Sequence, residues 1–371
     1  MGGIVPMNKI SLMIPGPVEL SVNVRRELSQ QVSAHYGKEW ADFYNSTIFL
    51  LKHVFQTTSY VFPMVGSGTA GIESVISSII APGDKLMVLT NGLFGDRLSE
   101  IARSYHAEVI EILFPLNVQV DPDRVRQELK KYSSLKAVAM VHSESSTGML
   151  NPLREIATVC QEFGVPLIVD AVSSLGGIEI KMDEWGIGAC IAASQKCLEG
   201  PTGLALVAVS DQLWPVIEKT DSSGWYLNLK VWKNMYDQEH DYHPHPTSMS
   251  TPLIRALRKS IENILAEGLS QRFKRHIEIS RMLRSGLAEL GFEFFLPDKV
   301  SSPTVVSVLG NQELPPDTVV NKLEEKYKIK VAGGVGPTKG KIFRIGCMGS
   351  SARPEKIQRL ISSLREIVED H

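Results

Sequence analysis

Four short segments of the chain hold residue types that do chemistry, and each follows an apolar run. Val65-Gly66-Ser67-Gly68-Thr69-Ala70-Gly71 is a turn of small residues ahead of a helix-like stretch over 72–80. Such a turn lets backbone N–H groups approach a ligand closely, and the helix that follows offers its positive end to an anion such as phosphate. The segment is neither a Walker A loop nor a clean GxGxxG fingerprint, so by itself it also fits a plain tight turn. His142-Ser143-Glu144-Ser145-Ser146-Thr147-Gly148 gathers hydroxyls that could cap a helix or bind a ligand. Asp170 ends an apolar run, where a carboxylate requires a cationic partner or serves as a helix N-cap. Lys196, in Ser194-Gln195-Lys196-Cys197, follows the apolar run 189–193. An amine held there can lose enough pKa to act as a nucleophile, although a lone lysine often only snorkels at a surface.

The four signals gain weight from their order along the chain. An anion cradle, a hydroxyl cluster, a carboxylate and an amine stand at successive strand ends. Pyridoxal phosphate requires this set: a site for its phosphate, a carboxylate that keeps the pyridine nitrogen protonated, and a lysine for the Schiff base.

The elements that position these groups are legible in the apolar pattern. Short uncharged runs at 85–89, 137–141, 166–169, 189–193 and 203–208 read as strands buried on both faces. Between them lie helices. One is entered through Asp121 as cap and Pro122 in the first turn, and another, from Pro152 to Phe163, is stopped by Gly164. Strand–helix alternation implies a mostly parallel α/β sheet. After about residue 250 the pattern changes. Residues 252–291 read as helix interrupted at Gly268, followed by strand-like runs at 292–295, 305–308, 329–331 and 342–345, an amphipathic run at 317–327 and a last helix at 354–369. The expectation is an N-terminal arm (1–20), a large cofactor domain (21–260) and a smaller C-terminal α+β domain (261–371). Arg272, Lys274, Arg275, Arg281 and Arg284 are interrupted by acidic and apolar residues and read as a solvated helix face. Trp225, Tyr226, Leu227, Val231 and Trp232 read equally as interface or core.

Composition narrows the class. The chain has 371 residues, 39 Lys and Arg against 41 Asp and Glu, and a formal charge of −2. That near-neutrality argues against a nucleic-acid binder. The longest uncharged stretch, between His53 and Glu73, is too polar to span a membrane. Met1–Pro6 lacks the features of a signal peptide. Cys160, Cys190, Cys197 and Cys347 form no CxxC pair, so no metal is expected and reduced thiols in a cytoplasmic protein are the simplest reading.

Across residues 10 to 368 the sequence resembles the class V aminotransferases of fold type I, in the branch of the alanine–glyoxylate, serine–glyoxylate and 2-aminoethylphosphonate–pyruvate transaminases. The resemblance rests on Pro15-Gly16-Pro17, Asn91-Gly92-Leu93-Phe94-Gly95, the segments around His142, Asp170 and Lys196, Gly333-Gly334-Val335-Gly336-Pro337 and Gly340-Lys341-Ile342-Phe343-Arg344-Ile345-Gly346. It implies a mostly parallel seven-stranded sheet in the large domain and pyridoxal 5'-phosphate as cofactor. Lys196 would form the Schiff base and shuttle the proton at the substrate Cα, and Asp170 would pair with the pyridinium nitrogen. Val172 and Phe94 would face the two sides of the ring, and Ser145 would bond near its 3'-oxygen. Ser67, Gly68, Thr69 and Gln195 would hold the phosphate, joined by Ser248, Thr247 or Tyr242 from a partner subunit. Arg344 would bind the substrate α-carboxylate in a bidentate fork.

The resemblance also implies a homodimer with shared active sites. It implies transfer of an amino group from a small amino acid, Ala or Ser, to a small 2-oxo acid, glyoxylate or pyruvate, by ping-pong half-reactions. The other readings are a 2-aminoethylphosphonate–pyruvate transaminase or a lyase or desulfurase of the same class. Ala34 and His35 stand where the glyoxylate enzymes shape a tight pocket, and His35 either faces the substrate or is a capped surface residue.

Overall fold

The computed structural model describes residues 10–132, 134–221, 224–310 and 312–370. The first residues, Met1–Pro6 among them, lie outside the described residues, as does most of the segment 1–10 of the expected arm.

A seven-stranded sheet forms the centre of the larger half. Its spatial order is Tyr60–Val65, Leu204–Val209, Ala189–Ala193, Leu167–Asp170, Leu135–Val141, Lys85–Thr90 and Glu108–Leu113. All neighbours are parallel except Leu204–Val209, which runs antiparallel to both of its partners. Ala189–Ala193 and Leu204–Val209 are buried at every position, which is why they read as unbroken apolar runs instead of alternating ones. Helices cover the sheet faces. Among them, Pro122–Leu129 starts from Asp121, whose side chain accepts the Asp123 N–H at 3.0 Å. Leu153–Glu162 ends ahead of Gly164, which adopts φ +63°.

A second apolar cluster lies in the C-terminal part. It packs Leu283, Leu287, Leu323, Ile357 and Leu360 against the three-stranded sheet Val305–Leu309, Ile342–Gly346, Ala332–Gly333. The N-terminal strand Ser11–Leu12 pairs with Ile329–Lys330, and Met13 is part of this second cluster. The long helical region breaks where expected: Thr251–Glu267 is followed by Leu269–Glu289, and Gly268 at φ +82° turns the chain between them.

Two expectations are corrected. Residues 292–295 form no strand; Phe294 makes only an isolated bridge to Val308. The basic cluster is not a uniformly solvated face. Arg272 is 2% exposed and bonds Gly176 O, Cys197 O, Glu199 and Glu267, while Arg275 bonds Glu267 and the carbonyls of Gly349 and Ala352. Buried arginines persist only where such partners absorb the donors. The Trp225–Trp232 stretch divides: Leu229 and Trp232 are core, and Trp225 is exposed.

Among the described residues, no helix is long and apolar enough to cross a membrane, and no group of His, Cys, Asp or Glu could hold a metal ion. All four cysteines are free and buried.

Candidate active site

The site forms at the carboxyl ends of the parallel strands, where an open α/β sheet leaves a crevice. Asp170 is the last residue of its strand and 5% exposed. Its Oδ1 accepts the Val172 N–H at 2.9 Å. Burial pushes its pKa up to about 6, against the pull of that N–H, Lys196 and Arg97. Beside it, His142 is held neutral by burial, with a pKa lowered to about 3 and a 3.0 Å bond to Ser174 Oγ.

Lys196 lies in the turn after Ala189–Ala193. Its Nζ donates to the Pro15 carbonyl, and its stem runs so close to Gly16 that an added Cβ there would sit 2.8 Å from Nζ. Burial lowers the Lys196 pKa, and the Arg344 charge adds to the effect. A lysine depressed in this way carries more free amine near neutrality. Preceding it, Ser194 is tied to the Pro201 carbonyl, and Gln195 points a buried Oε1 that has no partner among the described residues.

The turn of small residues expected to cradle an anion opens the helix Gly68–Ile79. Ser67 is exposed at the start of helix Gly68–Ile79 and makes no side-chain cap bond. Ala70 and Gly71 N–H groups donate back to Ser67 O at 2.9 and 3.3 Å. The N–H groups of Gly68 and Thr69 come before any helical acceptor and, among the described residues, have no backbone partner. An added Cβ on Gly68 would lie 2.6 Å from Val172 Cγ2, so the cradle packs directly on the residue that follows Asp170 by two.

Arg344 is the third residue of Ile342–Gly346 and is 7% exposed. Nη1 donates to Ser145 O at 2.7 Å, while Nε and Nη2 donate to Gly333 O at 3.0 and 2.8 Å. Two of the five guanidinium N–H groups remain, one on each terminal nitrogen, which suits a carboxylate. Phe94 is half-buried at the start of helix Leu93–Ser104, with the Arg97 guanidinium 4.9 Å from its ring centre.

Asp170, Lys196, Arg97, Glu144 and Arg344 thus come from separate elements into electrostatic range of one another. Glu144 and Arg97 were not among the residues expected at the site. Arg97 had one available signal, its place one helical turn after Phe94.

The other expected residues gather elsewhere. Ala34 is exposed, and the His35 ring lies 5.6 Å from His243 and 5.9 Å from His245. Trp40 Nε1 donates to His245 Nε2 at 2.9 Å, so His245 carries its proton on Nδ1 and donates it to Thr247 O at 2.7 Å. Thr247 Oγ1 is buried without a partner among the described residues, and Ser248 and Tyr242 are exposed. Among the described residues, no hydrogen bond, ion pair or ring contact of this cluster reaches Lys196, Asp170 or Arg344 of the same chain.

The groups present fit pyridoxal phosphate. The open first turn suits a phosphate, and among the described residues the buried Asp170 has no cationic partner in bonding contact. Sheet, helices and site together define the fold of the type I pyridoxal-phosphate aminotransferases. The chain belongs to the aminotransferase class-V family, whose model matches residues 20–347, and it is a transaminase. It is 38% identical to an uncharacterized aminotransferase of Methanocaldococcus jannaschii over 94% of this chain and 90% of that one. It is 30% identical to the alanine–glyoxylate aminotransferase of Rattus norvegicus over 96% of this chain and 87% of that one. The crystal structure of the ureidoglycine–glyoxylate aminotransferase of Bacillus subtilis superposes with a TM-score of 0.94 at 34% identity, covering 99% of this chain and 95% of that one.

Proposed function

We propose that the protein is a pyridoxal 5'-phosphate-dependent transaminase moving an amino group from a small amino acid, Ala or Ser, to glyoxylate or pyruvate. One observation supports this reading above the others: Asp170, Lys196 and Arg344 converge from three different elements with burial and charge that shift their pKa values. Bound pyridoxal phosphate would supply a carbonyl for the amine and a conjugated ring that takes up the electron pair released at the substrate Cα.

The chain's own groups do the rest. The Gly68 and Thr69 amides, with Ser67, Thr69 and Gln195 side chains, hold the phosphate at the helix end. Asp170 would keep a proton on the ring nitrogen, and Val172 and Phe94 would confine the ring. Arg344 grips the substrate carboxylate and fixes Cα in place. Lys196 would take the proton from the substrate Cα and return it at the cofactor C4′. Ser145 orients the ring oxygen while its carbonyl seats Arg344.

The reading extends to a cytoplasmic homodimer in which the 242–248 loop serves the site of the second subunit. Thr247, Ser248 and Tyr242 lie away from Lys196 of their own chain, and Thr247 Oγ1 has no partner among the described residues. The polypeptide divides at about residue 260 into a cofactor domain and a C-terminal domain that supplies Arg344, with residues 1–20 as an arm. Similarity to the ureidoglycine–glyoxylate aminotransferase favours one more donor, (S)-ureidoglycine.

The test is a steady-state panel with added pyridoxal phosphate, pairing Ala, Ser, Gly, 2-aminoethylphosphonate and (S)-ureidoglycine with glyoxylate or pyruvate. Parallel-line kinetics with Ala or Ser support the reading. Turnover restricted to another donor, or none at all, contradicts it.

A further inference from the structure

Glu144 is fully buried in the two-residue strand Ser143–Glu144, yet no ion pair holds it among the described residues. Four donors converge on its carboxylate. Oε2 accepts the N–H of Phe94 at 3.0 Å and of Gly95 at 3.1 Å. Oε1 accepts the Ser146 N–H at 2.9 Å and the Ser146 hydroxyl at 2.6 Å. The same hydroxyl oxygen accepts the Leu93 N–H at 3.1 Å. Three first-turn amides of helix Leu93–Ser104, which have no helical acceptor, therefore end on Glu144 or on the serine it holds. A carboxylate at that position also faces the positive end of the helix.

The other side of the loop carries the substrate anchor. Ser145, between Glu144 and Ser146, presents its carbonyl to Arg344 Nη1 at 2.7 Å. Gly92 completes the arrangement. Its backbone is extended, so any residue could adopt it, but an added Cβ would lie 2.5 Å from Glu144 Cγ. Only the missing side chain lets the carboxylate approach the helix end.

We propose that Glu144 is a positioning residue for transamination: it fixes Phe94 at the cofactor face and, through the same loop, the carbonyl that aims Arg344 at the substrate. Burying an unpaired carboxylate is costly, and a fixed geometry of two site elements is what that cost secures. The inference rests on the roles given above to Phe94 and Arg344.

Glu144→Gln keeps shape and volume but replaces one oxygen by an NH₂ group. Whichever way the amide turns, a donor then faces either the Phe94 and Gly95 amides or the Ser146 donors. Gly92→Ala is the second variant; it leaves the carboxylate chemistry intact and displaces it by contact. In the cofactor-free protein, hydrogen exchange at Phe94 and Gly95 should quicken about tenfold in Glu144→Gln, with strand Leu135–Val141 unchanged. Titration with pyridoxal phosphate should show about tenfold weaker binding and an altered visible circular dichroism band. KM for the amino donor should rise more than kcat falls, and Gly92→Ala should reproduce the pattern. Wild-type affinity, dichroism and KM in both variants would overturn the role of Glu144 while leaving the proposed activity standing. A wild-type protein that binds no pyridoxal phosphate would overturn both.

Discussion

Arg344 reaches across from Ile342–Gly346 to bond the Ser145 carbonyl at 2.7 Å, joining residues 199 positions apart in the chain. Gly333 O holds the opposite edge of the same guanidinium. The group is thereby locked in orientation, which would save ordering entropy in the proposed binding of a substrate carboxylate.

Arg344→Lys keeps the charge and loses the fork. A lysine amine cannot serve both carbonyls and a bidentate carboxylate from one point. Catalytic efficiency with the amino donor should fall about 10- to 100-fold, mostly through KM, as expected for a lost charge-assisted bond. Visible absorption of added pyridoxal phosphate should stay as in wild type. Unchanged KM in this variant would remove Arg344 from the substrate site.

Asp170 gives a pH signature. Burial raises it from 3.8 to about 6 in the folded chain, so the folded state holds its proton more tightly than the unfolded one. Near pH 3 and below, both states are protonated and nothing is lost. As pH climbs from about 4 to about 6 the unfolded chain ionises while the folded one holds its proton, and stability drops by up to about 3 kcal/mol, levelling off above that. Asp170→Asn should match wild type in denaturant melts of cofactor-free protein near pH 3 and exceed it above pH 6. A difference that does not vary with pH contradicts this account.

Gly68→Ala probes the cradle. The new methyl would meet Val172 Cγ2 at 2.6 Å and Ala193 Cβ at 3.3 Å. Overpacking of this kind costs about 1–3 kcal/mol, and here it would displace the Val172 side chain proposed to face the ring. Affinity for pyridoxal phosphate should fall about tenfold or more, measured by fluorescence titration. An alanine variant with wild-type affinity would show that the turn does not contact the phosphate closely.

Sharing of sites between subunits is checked by complementation. A Lys196→Ala chain lacks the amine but keeps its 242–248 loop. A Thr247→Ala, Ser248→Ala chain has the reverse defect. Each alone should be weak or inactive; co-expressed, mixed dimers should regain one intact site. Failure of the mixture to exceed its parents would place the loop outside the active site.

Much of this was legible in the sequence, for identifiable reasons. The central strands are buried on both faces, so apolar runs announce them with little dependence on context. Gly268 marked a helix break because glycine relieves the φ of +82° found there. Asp170 and Lys196 stood out by following such runs. Arg272 did not, because its burial depends on Glu199 and Glu267 and on carbonyls from distant turns. Glu144 was hidden among hydroxyls, since the amides it holds lie about 50 residues upstream. Residues 292–295 carry the composition of a strand but find only a single bridge.

The most direct measurement is a single half-reaction followed by absorbance. Purified protein loaded with pyridoxal phosphate is mixed with Ala or Ser in the absence of any 2-oxo acid, then with glyoxylate or pyruvate. The visible band should be lost on adding the amino acid, return on adding the 2-oxo acid, and do neither in Lys196→Ala. A band that no amino acid discharges, or that Lys196→Ala discharges and regains as wild type does, would contradict it.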